Sequence, residues 1–280
     1  MTARTHAFRP GPRARLAAPS LAVLLAALSP PPADAAPPRL GRDVVPLAQS
    51  LRLSLDPRAE GYSGATAIDL DVRAEVRSFW LHAQEMTIDG ARLERDGKDI
   101  AVASRTEDGR VVLDLEAPLA PGRATLALAF HKPFGTKAVG LYRAVADDES
   151  YAFTDFEPAD ARRAFPCFDE PAFKVRFEIT VDVPERDLAV SNAAVAEESV
   201  RDGMRTVRFR PTKPISTYLV AIASGPFEWL RMDGLSVPGR VVFAKGKGGL
   251  ARLAVDTTPR ILAALEQWFG TPYPFEKLDF

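Results

Sequence analysis

The sequence predicts a mostly β protein, and two observations support that prediction. Apolar and polar residues alternate in many short segments between residues 44 and 245, and a period of two gives a strand one apolar face. Asp-Gly and Pro-Gly pairs, which favour tight turns, separate those segments. Short alternating strands at this spacing indicate a β-sandwich or a large, curved open sheet.

The predicted strands and turns can be placed in chain order. Strands are expected at residues 50–56, 67–73, 79–82, 111–115, 124–130, 174–183 and 205–210. Residues 216–223 are apolar on both faces, which predicts a central strand. Turns are expected at Asp89-Gly90, Asp96-Gly97, Asp108-Gly109 and Pro121-Gly122.

The first 36 residues have the order of a secretory signal peptide. A basic segment with Arg4, Arg9, Arg13 and Arg15 precedes an apolar run at residues 16–28, and Ala33-Asp34-Ala35 fits a cleavage site. The sequence therefore predicts export to the periplasm or the extracellular space. No later segment is long and apolar enough to cross a membrane.

The charge balance argues against nucleic-acid binding, and the cysteine count excludes an internal disulfide. The 36 basic and 37 acidic side chains nearly cancel, and loss of the four leader arginines leaves the chain mildly acidic. Such a chain has no electrostatic footprint for nucleic acid. A single cysteine, Cys167, cannot form an internal disulfide. Between Pro166 and Phe168 it is predicted to be a small buried apolar residue.

The alternation of apolar and polar residues that predicts strands ends near residue 245. The glycines and lysines of residues 245–250 have neither the P-loop nor the dinucleotide spacing, so they are interpreted as a hinge. Apolar residues then recur at helical spacing as far as Phe269, and Gly270 ends the predicted helix. Pro259 either kinks this helix or begins a second one capped by Thr258. The predicted organisation is a leader at 1–36, a β domain at 37–245, and a hinge with the entry to a further domain at 246–280.

One segment, residues 154–174 with the sequence TDFEPADARRAFPCFDEPAFK, stands out by composition. It contains five acidic residues: Asp155, Glu157, Asp160, Asp169 and Glu170. Its three prolines exclude a long helix or a central strand through much of it. Its aromatic residues can anchor an ordered loop whose charges point elsewhere, as is typical of binding loops. The alternative is a proline-braced connection whose charges are solvated or paired with one another.

Three segments together resemble one enzyme family. Residues 155–174, 211–223 and 270–279 are similar, in the same order, to segments of the aminopeptidase N family of zinc metallopeptidases. The resemblance implies a saddle-like N-terminal β-sandwich domain, followed by the first helix and strand start of a truncated thermolysin-like catalytic domain. It also implies a peptide substrate with a free N-terminus and a zinc cofactor in the complete enzyme.

The family's catalytic residues are not in this sequence. The zinc is held by His-Glu-x-x-His and a distant glutamate, whereas His6, His82 and His131 have no such spacing, and the family's Gly-x-Met-Glu-Asn segment is absent. We therefore expect no catalytic or metal residue in this chain and no activity without the missing catalytic domain. The alternative is a binding module instead of an enzyme: a stand-alone exported β-sandwich domain that binds a partner without cleaving it.

The resemblance assigns one substrate contact to the segment at 154–174. Glu157 matches the family's acid that binds the free α-amino group of the substrate. Asp155 lies where the family more usually has glutamine, so the detail of the pocket differs here. On an extended backbone the two side chains project to the same side. Glu157 and Asp155 are therefore the predicted substrate-binding residues.

Overall fold

Strands dominate residues 39–280, the part of the chain that the computed structural model describes. In chain order they are β1 (Val44–Ser54), β2 (Gly61–Val72), β3 (Val76–His82), β4 (Thr87–Arg95), β5 (Lys98–Ile100), β6 (Val102–Glu107), β7 (Arg110–Leu119), β8 (Gly122–Pro133), β9 (Gly140–Ala146), β10 (Glu149–Asp155), β11 (Arg176–Pro184), β12 (Leu188–Ser191), β13 (Val195–Arg201), β14 (Met204–Phe209), β15 (Ile222–Gly225), β16 (Phe227–Met232), β17 (Gly239–Ala244) and β18 (Leu278–Asp279). One α-helix, α1 (Gly248–Phe269), and two 3-10 turns, Ala161–Arg163 and Thr217–Leu219, complete the described elements. The predicted mostly β fold followed by a helix is confirmed.

The strands form four sheets. The largest has eight strands in the order β13-β14-β11-β1-β2-β8-β4-β5, with β1 and β11 parallel. A four-stranded sheet has the order β12-β15-β10-β9, and the two three-stranded sheets are β16-β17-β18 and β3-β7-β6. Strand β10 lies inside its sheet, between β9 and β15. The loop that follows β10 therefore leaves from a strand supported on both sides.

The main buried apolar cluster joins three of these sheets, while the β16-β17-β18 sheet has a small cluster of its own. The main cluster contains Leu51 and Leu53 of β1, together with Leu81 of β3 and Leu113 of β7. The eight-stranded sheet and the β3-β7-β6 sheet therefore share a core, as expected for a sandwich. The alternation predicted for residues 50–56 has a period of two. In this part of β1 it places every second side chain in the core.

Two of the predicted Asp-Gly turns are hairpin turns. Asp96-Gly97 joins β4 to β5, and Asp108-Gly109 joins β6 to β7. Both residues of each pair have positive φ, between 47° and 74°, which is the backbone that a type I′ turn requires. The turn predicted at Asp89-Gly90 is wrong. That pair lies inside β4, where the register with β8 shifts between Ile88 and Gly90, so the glycine marks a bulge.

The central strand predicted at residues 216–223 is also wrong. The Leu219 amide donates to the Ser216 carbonyl and the Val220 amide to the Thr217 carbonyl, so the chain turns there instead of extending. Both side chains at the turn bond to the loop: the Ser216 hydroxyl donates to the Pro171 carbonyl, and the Thr217 hydroxyl to Asp169. Only β15, from Ile222 onward, is extended. These tertiary hydrogen bonds outweigh the local apolar pattern.

Helix α1 is continuous through Pro259, so the alternative of a second helix beginning at that residue is wrong. Gly270 caps it in the left-handed conformation, with φ 63°. Ala251 packs with Met232 and Val241 against the β16-β17-β18 sheet. The other face is exposed; its large apolar side chains are Leu250, Leu253, Ile261, Leu265, Trp268 and Phe269.

Two predictions concern transport across membranes. The signal peptide at residues 1–36 lies outside the described residues. Within residues 39–280, no helix combines the length and the apolar composition that a bilayer span needs.

We expect deletion of residues 246–280 to leave a cooperative thermal transition. The main core contains no residue from this segment. The deletion removes the small cluster around Ala251 and Leu278, the short β17–β18 pairing and several polar contacts, such as that of the Lys277 Nζ with the Ser191 carbonyl. As a control, Leu81→Ala opens a cavity in the main core and should lower stability by about 2–5 kcal/mol. Thermal denaturation followed by circular dichroism compares both variants with the parent chain. If the deletion abolishes the transition, the domain boundary at 245/246 is wrong.

Candidate functional site

The loop between β10 and β11 is anchored by buried aromatic side chains. Phe156, Phe165, Phe168 and Phe173 are all buried. Their rings contact edge to face, with centroids 5.8 Å apart for Phe156 and Phe165 and 5.6 Å apart for Phe168 and Phe173. Such contacts add to the free energy gained from apolar burial. The prediction that aromatic residues anchor this segment is confirmed.

Side chains and backbone of three strands also hold the loop backbone. The Tyr62 hydroxyl donates to the Ala164 carbonyl over 2.9 Å, and the Gln49 side-chain amide donates to the Pro166 carbonyl over 2.9 Å. His82 and Cys167 exchange two backbone hydrogen bonds of 3.0 Å. Cys167 is fully buried, as predicted, and burial raises its thiol pKa. The loop is therefore tied down along its second half.

A buried ion pair closes the loop on itself. The Arg162 Nε donates to the Asp169 Oδ2 over 2.7 Å, and the Asp169 side chain is only 2% exposed. The other Asp169 oxygen accepts the Thr217 hydroxyl. The expectation that the loop's charges point away from its anchors is thus wrong for Asp169. This carboxylate stabilises the loop's own shape, because a buried charge requires partners.

Two further acidic residues have structural partners. Asp160 accepts a hydrogen bond from the Arg163 Nε over 3.0 Å. Glu170 accepts the Leu40 amide over 2.7 Å, which ties the loop to the start of the described chain. For Asp160 and Asp169, the interpretation as a braced connection with paired charges describes the structure, whereas Glu170 is bonded to a neutral backbone amide.

Asp155 and Glu157 differ from the other three acidic residues. Both are exposed, while Phe156 between them is 2% exposed. Strand β10 ends at Asp155 and Glu157 lies in the turn that follows, so the two carboxylates are exposed on either side of the buried Phe156. Their projection to the same side stays a prediction. Among residues 39–280, neither carboxylate has an ion-pair or hydrogen-bond partner. The loop therefore presents two unpaired acids on a rigid base.

Tyr142 is a third side chain at this position, and sequence reasoning missed it. In the β9–β10 hairpin it is the register partner of Phe153, two residues before Asp155, and the two rings lie 6.0 Å apart. Burial raises the pKa of Tyr142, and the charge of Asp155 raises it further. The signal that would have found Tyr142 is the register of the hairpin, because residue pairs can be counted outward from the Asp147-Asp148 turn.

The histidines of the described chain do not form a metal centre. His82 is buried, and its Nδ1 has no hydrogen-bond partner within residues 39–280. His131 is exposed and pairs through Nδ1 with Asp89 over 2.8 Å. No group of three potential metal ligands occurs in the described residues. This donor set does not fit a zinc ion, so no reaction step in this chain is derived through zinc.

Comparison with known proteins identifies the family. The Peptidase M1 N-terminal domain matches residues 45–219. This chain belongs to the M1 peptidase family, the family of aminopeptidase N. The resemblance in the sequence is therefore confirmed. The match ends within the turn at Thr217–Leu219, so it includes the whole loop that carries Asp155 and Glu157.

Several M1 aminopeptidases are similar to most of this chain. It is 36% identical to aminopeptidase M1-B of Oryza sativa subsp. japonica over 249 residues and 36% identical to aminopeptidase M1 of Arabidopsis thaliana over 256 residues. Each alignment covers 86% of this chain but only 28% and 29% of those relatives. Aminopeptidase N of Acetobacter pasteurianus is 28% identical over 250 residues, with 69% of its length covered. The chain thus spans less than a third of the plant relatives.

His82 should make the stability of the M1 domain depend on pH. Burial lowers its pKa to about 4, and the charge of Arg162 adds to this effect. His82 has a higher pKa in the unfolded chain than in the folded domain. The folded domain is therefore most stable above pH about 6.5, and its free energy of unfolding falls by about 2–4 kcal/mol toward pH 4. His82→Gln should flatten this slope even if the variant is less stable at every pH. Urea unfolding at a series of pH values measures it.

The control is Gln267→Asn, an exposed substitution that changes no titrating group and should keep the parent slope. An unchanged slope in His82→Gln would assign the acid sensitivity to other groups.

Proposed function

We propose that this chain supplies the amine-binding loop of an exported zinc-dependent aminopeptidase, which removes N-terminal residues from peptides. One observation supports this most directly. Of the five acids in the anchored loop, Asp155 and Glu157 alone are exposed and lack partners in the described chain. The other three acids have partners that stabilise the loop, and we attribute the exposure of these two to substrate binding.

Glu157 is the proposed anchor for the substrate's α-ammonium group. A carboxylate and an ammonium form a charge-assisted hydrogen bond, which strengthens when water is excluded around it. A fixed anchor for the free amine also measures a peptide from its N-terminus, so only terminal residues are released. The aromatic anchors and the Arg162–Asp169 pair position the loop before substrate arrives, which lowers the entropy cost of binding.

Asp155 and Tyr142 are proposed to line the pocket for the first residue of the substrate. Asp155 is the register partner of Gly140 at the start of β9, and Tyr142 follows two residues later. A carboxylate beside an aromatic ring attracts a cationic side chain by charge and by cation–π contact. The proposed preference is therefore for N-terminal arginine and lysine.

Catalysis is proposed to require a domain beyond the residues described here. The zinc of the complete enzyme would activate the attacking water, and its ligands are absent from this sequence. The proposal of export rests on the basic, apolar and small-residue order of residues 1–36. The peptide substrate would be held between the loop of this chain and the catalytic domain.

Glu157→Ala should lower kcat/KM by about 30- to 1000-fold, or roughly 2–4 kcal/mol, because it removes a charge-assisted contact in a desolvated site. The measurement uses an enzyme that joins this chain to a zinc-binding catalytic domain. The fold should survive, since Glu157 has no partner within residues 39–280. Glu116→Ala, which removes an exposed glutamate of β7, is the matched control and should leave kcat/KM unchanged. Near-normal efficiency of Glu157→Ala would make the loop a scaffold only.

Asp155→Gln should change which first residue is preferred. Loss of the charge should reduce the ratio of kcat/KM for arginyl over leucyl substrates by about threefold to tenfold. A panel of arginyl, lysyl, alanyl and leucyl substrates on the same enzyme measures the ratio. A profile identical to that of the parent would remove Asp155 from the pocket without affecting the assignment of Glu157.

A further inference from the structure

A second charged site lies on the other side of the β9 start. The β8–β9 connection, the Gln84–Glu85 turn and Arg163 enclose a cleft of about 670 Å³. Asp155 and Glu157 do not line this cleft. Its side chains come from three separate parts of the chain, so the fold assembles it.

Three cations line the cleft, against one acid. The cations are Lys132, Lys137 and Arg163, and the acid is Glu85. Arg163 has a second partner outside the cleft, Asp160. Within residues 39–280, Lys137 has no ion pair. The cleft therefore keeps an excess of positive charge after all described pairs are counted.

The Lys132 ammonium has hydrogen-bonding capacity to spare. The residue is only 8% exposed, and its Nζ donates to the Gln84 carbonyl over 3.0 Å. The nearest Glu85 oxygen is 3.6 Å away, beyond a hydrogen bond. An ammonium has three donors, and an unpaired buried donor is costly. Burial lowers the pKa of Lys132, with Glu85 opposing that effect, as expected for an incompletely paired buried cation.

Glu85 shows that a carboxylate fits between two of these cations. One of its oxygens lies 2.7 Å from the Arg163 Nη1 and the other 3.6 Å from the Lys132 Nζ. Glu85 lies on a turn with φ 57°, and its side chain is 62% exposed. This carboxylate is therefore paired with Arg163 but reaches Lys132 poorly, and it would compete with an external anion.

Apart from Thr136, the remaining side chains of the cleft wall are apolar. Phe134 and Leu141 are buried along it, while Val139 is 41% exposed. An inorganic anion would leave the exposed Val139 side chain in water. An organic anion with an apolar group would cover it and gain free energy from the area buried.

We propose that this cleft binds the carboxylate of a small organic acid that carries an apolar group, such as the C-terminal end of a short peptide. The carboxylate takes the free donors of Lys132, with Lys137 at the rim, and the apolar group lies against Phe134 and Val139. This site needs no free amine, so it is independent of the function proposed for Glu157.

Isothermal titration calorimetry of the 280-residue chain with three probes tests the proposal. N-acetyl-leucine has the carboxylate and the apolar group but a blocked amine, N-acetyl-leucinamide is its neutral counterpart, and inorganic phosphate is an anion without an apolar group. We expect the acid to bind at least about tenfold more tightly than the amide, because the charged contact is lost in the amide. Phosphate should bind more weakly than the acid. Equal affinity for acid and amide, or tighter binding of phosphate, would overturn the proposal.

Variants locate the binding to this cleft. Lys132→Met should weaken the acid by more than about tenfold, and Glu85→Gln should tighten it by about threefold, since the internal competitor loses its charge. Lys137→Met, an exposed substitution without risk to folding, should weaken it by about threefold. The control Lys98→Met, in the exposed strand β5, should bind as the parent chain does. Parent-like affinity in Lys137→Met together with unchanged affinity in Glu85→Gln would place the binding elsewhere.

Discussion

The buried Arg162–Asp169 ion pair is the interaction on which the loop depends. Asp169 receives hydrogen bonds from Arg162 within the loop and from Thr217, a residue far along the chain. Removing either partner would leave a charge or a hydroxyl unpaired in the core, which costs several kcal/mol. The pair therefore fixes two turns at once, Ala161–Arg163 and Thr217–Leu219. Without it, the aromatic anchors and the Tyr62 and Gln49 bonds would still hold the loop backbone, but these two turns would lose the contact that links them.

In this very acidic segment, the acids that stabilise the loop differ from the acids that are proposed to bind substrate. Asp160 and Asp169 are paired with arginines, and Glu170 accepts a backbone amide, so each of these three acids has a role within the fold. Asp155 and Glu157 remain exposed because Phe156 between them is buried and fixes their direction. An exposed carboxylate contributes little to folding. Natural selection can therefore set its position for recognition without loss of stability.

Local pattern predicted most of the fold, and tertiary contacts account for what it missed. Alternation predicted β1 and β11, and the two Asp-Gly pairs with positive φ predicted their hairpins. Gly90 has the same local sequence signal, yet lies in a bulge because β8 pairs on both sides of it. Residues 217–219 turn because Thr217 bonds to Asp169, a partner that no local pattern reveals. The same reason applies at the site: which acids are paired, and that Tyr142 stands beside Asp155, depends on register and on distant partners.

The most direct measurement is a crystal structure of an enzyme that joins this chain to a zinc-binding catalytic domain, with a free amino acid bound. We expect the α-ammonium nitrogen to lie within about 3 Å of a Glu157 carboxylate oxygen, the distance of a charge-assisted hydrogen bond. We also expect the loop backbone to be unchanged from that described here, since the Arg162–Asp169 pair fixes it beforehand. An ammonium bound by other acids, with Glu157 still facing solvent, would contradict the account.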